Sequence, residues 1–585
     1  MDSEKRIDSD DGIAYTFDEF VAFYTGKIKM PAIKKYWASC PVASTAKPKG
    51  RSRRRGRGGV KAGSVPQDAT LCVEVQAPSA GSGSDKDVRA EVEPKAERPQ
   101  PPPFRRSRSW LVKAGGVTVL PCEEKLVPLL EEYAALREAA DYDGMEALQF
   151  KLLQEHPFVD TQNVEVMPEA LAAGVSCKVC NLRMNVGKFR KWLRSAEGKP
   201  FEEKGAGYDD GCYLTSAVLR SMMPRGYTHF TFSNGSGESS TVVLRGFFKF
   251  TGLAATDEDE ESRATAEVDA FMFNGYKRQD ASRFAVTTKS NGENGKYMVR
   301  QIFGEWYCFA GSKMTGKLWQ LGSKAEELYP VPKYTGNDSA QVGPKIIAHV
   351  EGILSQMSAD NKQGFLEAVN ASRLTIMFEF NDPTHEHIFP IESTCADHVA
   401  LLSRQGYPLP QGEARAFFDK FGLRRVSCQV YDDMNLLEGV MEEIRASTEI
   451  EGAVIYLERA DMPVGMVKIK SNYYVIARRT RETMRSALVN PVLKGTSVKE
   501  AMATTSRRLK EGMRTLTHVG GHKEHHKEWA DFAVTFAESW ANAYSVGDEK
   551  ARAELVSEFS SRYGSLYYRF YRQRQGEQAG DDAAT

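Results

Sequence analysis

The sequence predicts an α+β protein: a domain of antiparallel sheets with helices, an all-helical C-terminal domain behind it, and a disordered N-terminal arm. Three observations lead there. From Tyr227 to about Ala477, segments with period-2 alternation and many β-branched or aromatic residues follow one another without a strand–helix–strand rhythm. After Arg478 apolar residues recur at helical spacing. Between about Ala43 and Ser109 the composition collapses into Pro, Gly, Ser, Ala and charge, too poor in apolar side chains to bury a core.

The bulk composition bounds the class. A chain of 585 residues exceeds one ordinary domain, and 41% hydrophobic residues suffice for sizeable cores. Lys+Arg and Asp+Glu balance at 78 each, so only the distribution of charge can speak for nucleic acid. Nine scattered cysteines suit a reducing compartment better than a disulfide framework. No apolar run is long enough to span a bilayer, and the start, "MDSEKRIDSDDGIAYTFDEF", is acidic where a signal peptide is basic and then apolar. The expectation is a soluble intracellular protein, nuclear or cytoplasmic, with no membrane partner.

Six segments are expected in order. Residues 1–42 form a short N-terminal segment with one helix over "TFDEFVAFYTG". Residues 43–109 form a disordered linker whose clusters, "KPKGRSRRRGRGG" and "KAERPQPPPFRRSRS", suit RNA-backbone contact or nuclear import, and equally a plain solvated linker. Residues 110–224 form a helical and mixed accessory region. Its "CKVC" (Cys177, Cys180) lacks the second ligand pair of a structural zinc site. Residues 225–480 form the strand-rich domain, 481–575 the helical C-terminal domain, and 576–585 a disordered tail.

The chemistry concentrates in the strand-rich block. Lys289 stands in "KSNG" with Asn291 and Gly292, between two strands; Lys313 follows in "AGSK". Glu379 lies inside an apolar strand, "TIMFEF", where a carboxylate is costly unless paired. Glu451 opens "EGAVIYL". Lys468 and Lys470 alternate in "MVKIKSNYYV", so strand geometry puts both on one face, where they could cradle a phosphate chain. Taken singly, "KSNG" is a hairpin turn and "KIK" a solvated strand face. Together they supply what nucleotide transfer to a lysine requires: an amine that can shed its proton, cations for the phosphates, and carboxylates for a metal or a ribose.

The order K-x-N-G, S-K, F-E-F, E-G, K-x-K resembles that of the covalent nucleotidyltransferases, ATP-dependent ligases and GTP-dependent capping enzymes. "TIMFEFNDPTHEHIF" and "MVKIKSNYYV" look like the phage-type tRNA-repair RNA ligases and the adenylyltransferase domain of fungal tRNA ligases. "VVLRGFFKF", with Arg245, resembles the family's arginine–glycine strand, and "AFMFNGY" its Phe-Phe-Asn segment. The resemblance covers about residues 225–480. It implies an ATP-grasp-like nucleotidyltransferase fold and an RNA ligase acting through lysyl-AMP and adenylylated RNA in RNA (tRNA) repair or processing. ATP and Mg²⁺ or Mn²⁺ would be its cofactors.

Carried over, Lys289 is the nucleophile, and Arg245 contacts the nucleotide or the 5′-phosphate end. Lys313, with Asn291 and Gly292 at the turn, helps hold the nucleotide. Glu379 meets the ribose or orients the lysine, Glu451 binds metal, and Lys468 and Lys470 grip the α-phosphate. One departure stands out: the lysine that phage-type enzymes carry before Phe-Phe-Asn is missing at Phe271-Met272-Phe273-Asn274, and Lys277 and Arg278 come after it. The partner implied is RNA with single-stranded or nicked structured ends, tRNA among them. No kinase or phosphodiesterase motif is present, so end-healing would fall to a separate kinase or phosphatase.

Two other stretches invite a function. "THVGGHKEHHKEW" puts His522 and His526 on one helix face, with His518 and His525 nearby, but contains no HExxH. "YGSLYYRFYRQR" could stack on RNA; a final helix burying its aromatics against the body is the favoured expectation. The alternatives kept open are a capping-type or DNA-joining nucleotidyltransferase, and an inactive RNA-binding protein on a ligase fold.

Overall fold

The structure is a computed structural model, in which residues 6–7, 14–17, 21, 37, 112–114, 117–197, 212–213, 216–252, 268–332, 339–448, 450–459, 462–516 and 525–582 are described. The chain divides into two units, Met1–Gln100 and Pro101–Thr585. In the first, the short strands Arg6–Ile7 and Ala14–Tyr15 pair antiparallel, and the rings of Phe17 and Trp37 meet edge-on. Phe17 and Val21, inside the expected N-terminal helix, are helical. The basic linker, His518 and His522 lie outside the described residues.

The second unit begins with helices Val127–Glu138 and Tyr142–Glu155. Asp141 caps the second by accepting a hydrogen bond from the Gly144 amide at 3.0 Å. Its buried stripe, Met145, Leu148, Leu152 and Leu153, packs with Phe158 and with Leu182, Tyr227 and Val243 of a four-stranded antiparallel sheet. The strand order of that sheet is Val159–Val164, Val175–Met184, Tyr227–Asn234, Ser239–Arg245. The expected boundary at residue 225 therefore runs through one sheet: His229 pairs with Cys180 and Phe232 with Cys177. Cys177 and Cys180 stand three apart on one strand, hence on opposite faces, and cannot share an ion.

Two five-stranded sheets follow. The first runs Cys428–Tyr431, Arg283–Thr288, Gly452–Arg459, Met462–Lys470, Thr251–Gly252, antiparallel except for its last, parallel pair. The second, all antiparallel, runs Lys317–Gln320, Glu305–Ser312, Glu293–Ile302, Thr375–Asn381, Cys395–Leu402. Ala285, Tyr456 and Met466 of the first meet Met377, Ala400 and Leu402 of the second in one apolar cluster. Helices Ser339–Gln356 and Ala359–Ser372 bury Ile346, Val350, Phe365 and Val369 against the second sheet. Strands and helices alternate in no βαβ order, in keeping with the α+β expectation.

Ser471 ends the strand Met462–Lys470 and caps helix Asn472–Met484, accepting from the Tyr474 amide at 3.2 Å. From there on the described residues are helical through Val498–Thr515, His526–Val546, Glu549–Ser561 and Tyr563–Asp582. The aromatic tail packs inward as expected: Tyr563 and Tyr567 are buried with Phe536 and Tyr473, and the Tyr563 hydroxyl donates to the Ala477 carbonyl at 2.9 Å. No helix among the described residues is long and apolar enough to cross a membrane.

Candidate active site

Register places the lysines. Thr287 pairs with Val454 and Val454 with Lys468; Gly452 pairs with Lys470, and the Lys289 amide donates to the Gly452 carbonyl at 2.9 Å. Directly opposed residues of antiparallel strands share a face, so Lys289, Lys468 and Lys470 project to one side. That side also carries Ala285, Tyr456 and Met466, which pack against the second sheet. Lys289 and Lys470 stand one strand apart on either side of Gly452, about 10 Å between backbones. Ile469 points the other way into a separate apolar core. The face-sharing expected for Lys468 and Lys470 thus holds, with the nucleophile candidate in the same row.

Glycine makes the row possible. Gly452 has φ +148°, and a β-carbon there would lie 2.0 Å from the Ile469 carbonyl oxygen. Gly292, leading into the strand Glu293–Ile302, lies so close to the neighbouring strand Thr375–Asn381 that a β-carbon would meet the Phe380 carbonyl oxygen at 2.6 Å. Both glycines let one strand approach its neighbour within a sheet close to where the lysine emerges.

Carboxylates converge on Lys289. Its ammonium meets Glu451 Oε1 at 2.6 Å, with Glu451 buried and Lys289 about a quarter exposed. Asn291, oriented by its partners, donates to Glu451 Oε2 at 3.2 Å and accepts from the Ile388 and Phe389 amides at 3.1 and 3.0 Å. Glu379 stands opposite Asn294 in register and is hydrogen-bonded to it. Burial pushes its carboxyl up to about 8; the Lys289 charge opposes this and Glu451 adds to it. Part of Glu379 still reaches solvent, so crowding by neighbouring atoms rather than full exclusion of water raises it. Lys470 is buried with its ammonium 5.6 Å above the Tyr474 ring. Lys313 follows the strand Glu305–Ser312 and lies close enough to Glu293 to help hold that carboxyl below its usual range, after the larger effect of a hydrogen bond from His387.

Arg245 lies elsewhere. It is buried in the four-stranded sheet and donates to Glu146 Oε1 of helix Tyr142–Glu155 at 2.7 Å, while Arg404 holds Glu146 Oε2 at 3.1 Å. Tyr133, Tyr227 and Arg300 lie within reach of its charge in the same buried cluster. The Phe271–Asn274 segment is buried over its first three residues, and Phe273 joins the core between the two sheets. Arg278 approaches Asp269 at 3.5 Å.

Residues the sequence reading passed over complete the surroundings. Ser290, Asn381 and Asp397 form a hydrogen-bonded set beside the turn, with Arg424 on Asp397 at 2.6 Å. Lys345 donates to Asp382 at 2.6 Å. Glu293 faces His385 and His387. The period-2 spacing of the two histidines around Glu386 was the available signal.

Residues 229–474 match the model of a family described as RNA ligase. No curated protein matches at a significant level. Among solved structures, the chain is similar to an archaeal ATP-dependent RNA ligase, form 1, at 13% identity and TM-score 0.34, covering 73% of this chain and 95% of that one. Form 2 aligns at 16% identity and TM-score 0.32 over 56% and 76%. A Naegleria gruberi RNA ligase variant with ATP and Mn aligns at 9% identity and TM-score 0.23 over 55% and 98%. At such scores the superpositions carry no weight beside the family match.

Proposed function

We propose, from the premise that residues 229–474 are an RNA ligase domain, that this chain joins an RNA 5′-phosphate to a 3′-hydroxyl through an AMP carried on Lys289. The observation that supports this best is the single row of Lys289, Lys468 and Lys470, with Glu451 on the Lys289 ammonium at 2.6 Å. In the first step the Lys289 nitrogen loses a proton and forms a bond to the α-phosphorus of ATP. The bond to the bridging oxygen breaks and pyrophosphate leaves. On this reading Lys470 and Lys468 neutralise charge on the oxygens of the transferring phosphate. The AMP then passes to the RNA 5′-phosphate, and the 3′-hydroxyl oxygen displaces it to close the phosphodiester.

Glu451 and Glu379 form an oxygen donor set of the kind Mg²⁺ and Mn²⁺ prefer, and a divalent cation would relieve the crowding of two carboxyls. When bound, such an ion supplies charge neutralisation at the phosphates. Glu451 itself holds the Lys289 side chain in the cleft, and Asn291 fixes Glu451. With Glu379 largely neutral near pH 7, Lys289 is left with one strong anionic partner. The cellular role that fits this chemistry is RNA repair or processing, tRNA included.

The test is sealing of a 5′-phosphorylated RNA to a 3′-hydroxyl RNA with ATP and Mg²⁺ or Mn²⁺, beside Lys289→Ala. Sealing by the native chain alone is expected. Use of GTP but not ATP, or joining of DNA but not RNA, would move the reading to a capping or DNA-joining enzyme. No reaction with any of these by the folded protein would refute it.

A further inference from the structure

We infer a second metal site, for a first-row divalent transition ion, built from Glu293, His385 and His387 and separate from the carboxylates at Lys289. The ligand atoms of the three residues all lie within 4.8 Å of one another. His387 Nε2 is 3.2 Å and His385 Nε2 3.7 Å from the same oxygen, Glu293 Oε1. The first distance is that of an imidazole–carboxylate hydrogen bond, and His385, its ring edge-on to that of His387 at 5.3 Å, turns a second ring nitrogen toward the same oxygen. Ligands about 2.1 Å from a tetrahedral ion sit about 3.4 Å apart, and the two distances bracket that spacing. Two imidazoles and one carboxylate form a borderline donor set that suits Zn²⁺, Co²⁺, Ni²⁺ or Mn²⁺ and disfavours Ca²⁺.

The loop that carries the histidines is held rigidly, as a metal site requires. His385 and His387 reach Glu293 from a run of turns and bends, while Glu386 between them meets the C-terminal helices. There Glu386 is buried, accepting from the Ser565 amide and hydroxyl, both at 2.8 Å, while its own amide donates to the Ser561 carbonyl at 2.8 Å. Arg481 donates to the His387 carbonyl at 2.9 Å. Asn291 receives the next two amides. The C-terminal helices thus hold the histidines opposite Glu293, which begins the strand four residues after Lys289.

All three side chains are partly exposed, and Glu293 and His385 line a cavity of about 910 Å³ between the second sheet and helix Glu549–Ser561. The ion's remaining coordination positions face that cavity.

The experiment is a Co²⁺ titration of the full chain, made without a polyhistidine tag and followed by visible absorption and equilibrium dialysis. The native chain should bind one more Co²⁺ than the double variant His385→Ala/His387→Ala, with imidazole-type d–d bands that the variant lacks. Glu293→Gln, which keeps the side-chain shape, should weaken that site by more than about 100-fold, beyond the loss typical of an outer-shell partner. Lys289→Ala and Glu451→Gln should keep it, so the outcome does not depend on RNA joining. Equal stoichiometry and spectra in the native chain and both variants, each shown to be folded by its thermal melt, would overturn the inference.

Discussion

Replacing Glu379 by Gln should make the protein more stable at alkaline pH and leave it unchanged near pH 4.5. Burial lifts the Glu379 carboxyl from its ordinary 4.5 to about 8. The folded chain therefore keeps a proton that the unfolded chain has already released between these values. Stability falls as pH rises through this window and levels off above it, because the unfolded state binds fewer protons there. At about 1.4 kcal/mol per pH unit, the full interval sets an upper figure of about 5 kcal/mol. Partial access to solvent should reduce the measured effect to a few kcal/mol. The assay is urea unfolding of both proteins at steps from pH 4.5 to 9, with the difference plotted against pH. A gap that opens between pH 5 and 8 in favour of the variant supports a crowded, largely neutral Glu379 beside Lys289. A gap that is flat, or that favours the native chain above pH 8, would refute the reasoning and mean that Glu379 is ionised and well paired.

Lys296 gives the complementary case: its ammonium is fully buried without a hydrogen-bond partner among the described residues, and burial lowers it from 10.5 to about 7. Here the folded state releases its proton first, so stability should rise from pH 7 toward 10.5. Lys296→Met should be a few kcal/mol more stable at pH 6–7 and lose that advantage near pH 10 in the same unfolding assay. Arg245→Ala should cost about 3 kcal/mol, the low end for breaking a buried pair because Arg404 still holds Glu146. Single-turnover adenylylation of that variant, measured well below its melting temperature, should stay near the native rate; a large loss would restore Arg245 to the nucleotide site. Glu451→Gln should slow adenylylation by about 100-fold or more while shifting the melting temperature little, since it removes the anion holding Lys289 in place.

The lysine row was legible because it depends on two short-range rules. Strand alternation puts Lys468 and Lys470 on one face, and antiparallel pairing through Gly452 brings Lys289 into the same line. The partner of Arg245 was not legible, because its local pattern, an arginine ending a strand, says nothing of it: Glu146 lies 99 positions upstream on a helix of the accessory region. The same blindness to distant pairing put a boundary at 225, where a sheet continues across it. His385 and His387 went unread because the segment after "TIMFEF" has no strand or helix pattern of its own. Its shape comes from Arg481, Ser561 and Ser565, and their hydrogen bonds span 94 positions in one case and 179 in another. The aromatic tail was legible, since a helix rich in Tyr and Phe buries them wherever an apolar surface is offered.

The most direct measurement is incubation of the purified chain with α-labelled ATP and Mg²⁺ or Mn²⁺, followed by denaturation, proteolysis and mass spectrometry of the labelled peptide. The account predicts one acid-labile AMP on the peptide containing Lys289, absent from Lys289→Ala. AMP on another lysine, or none on a folded and metal-supplied protein, would contradict it.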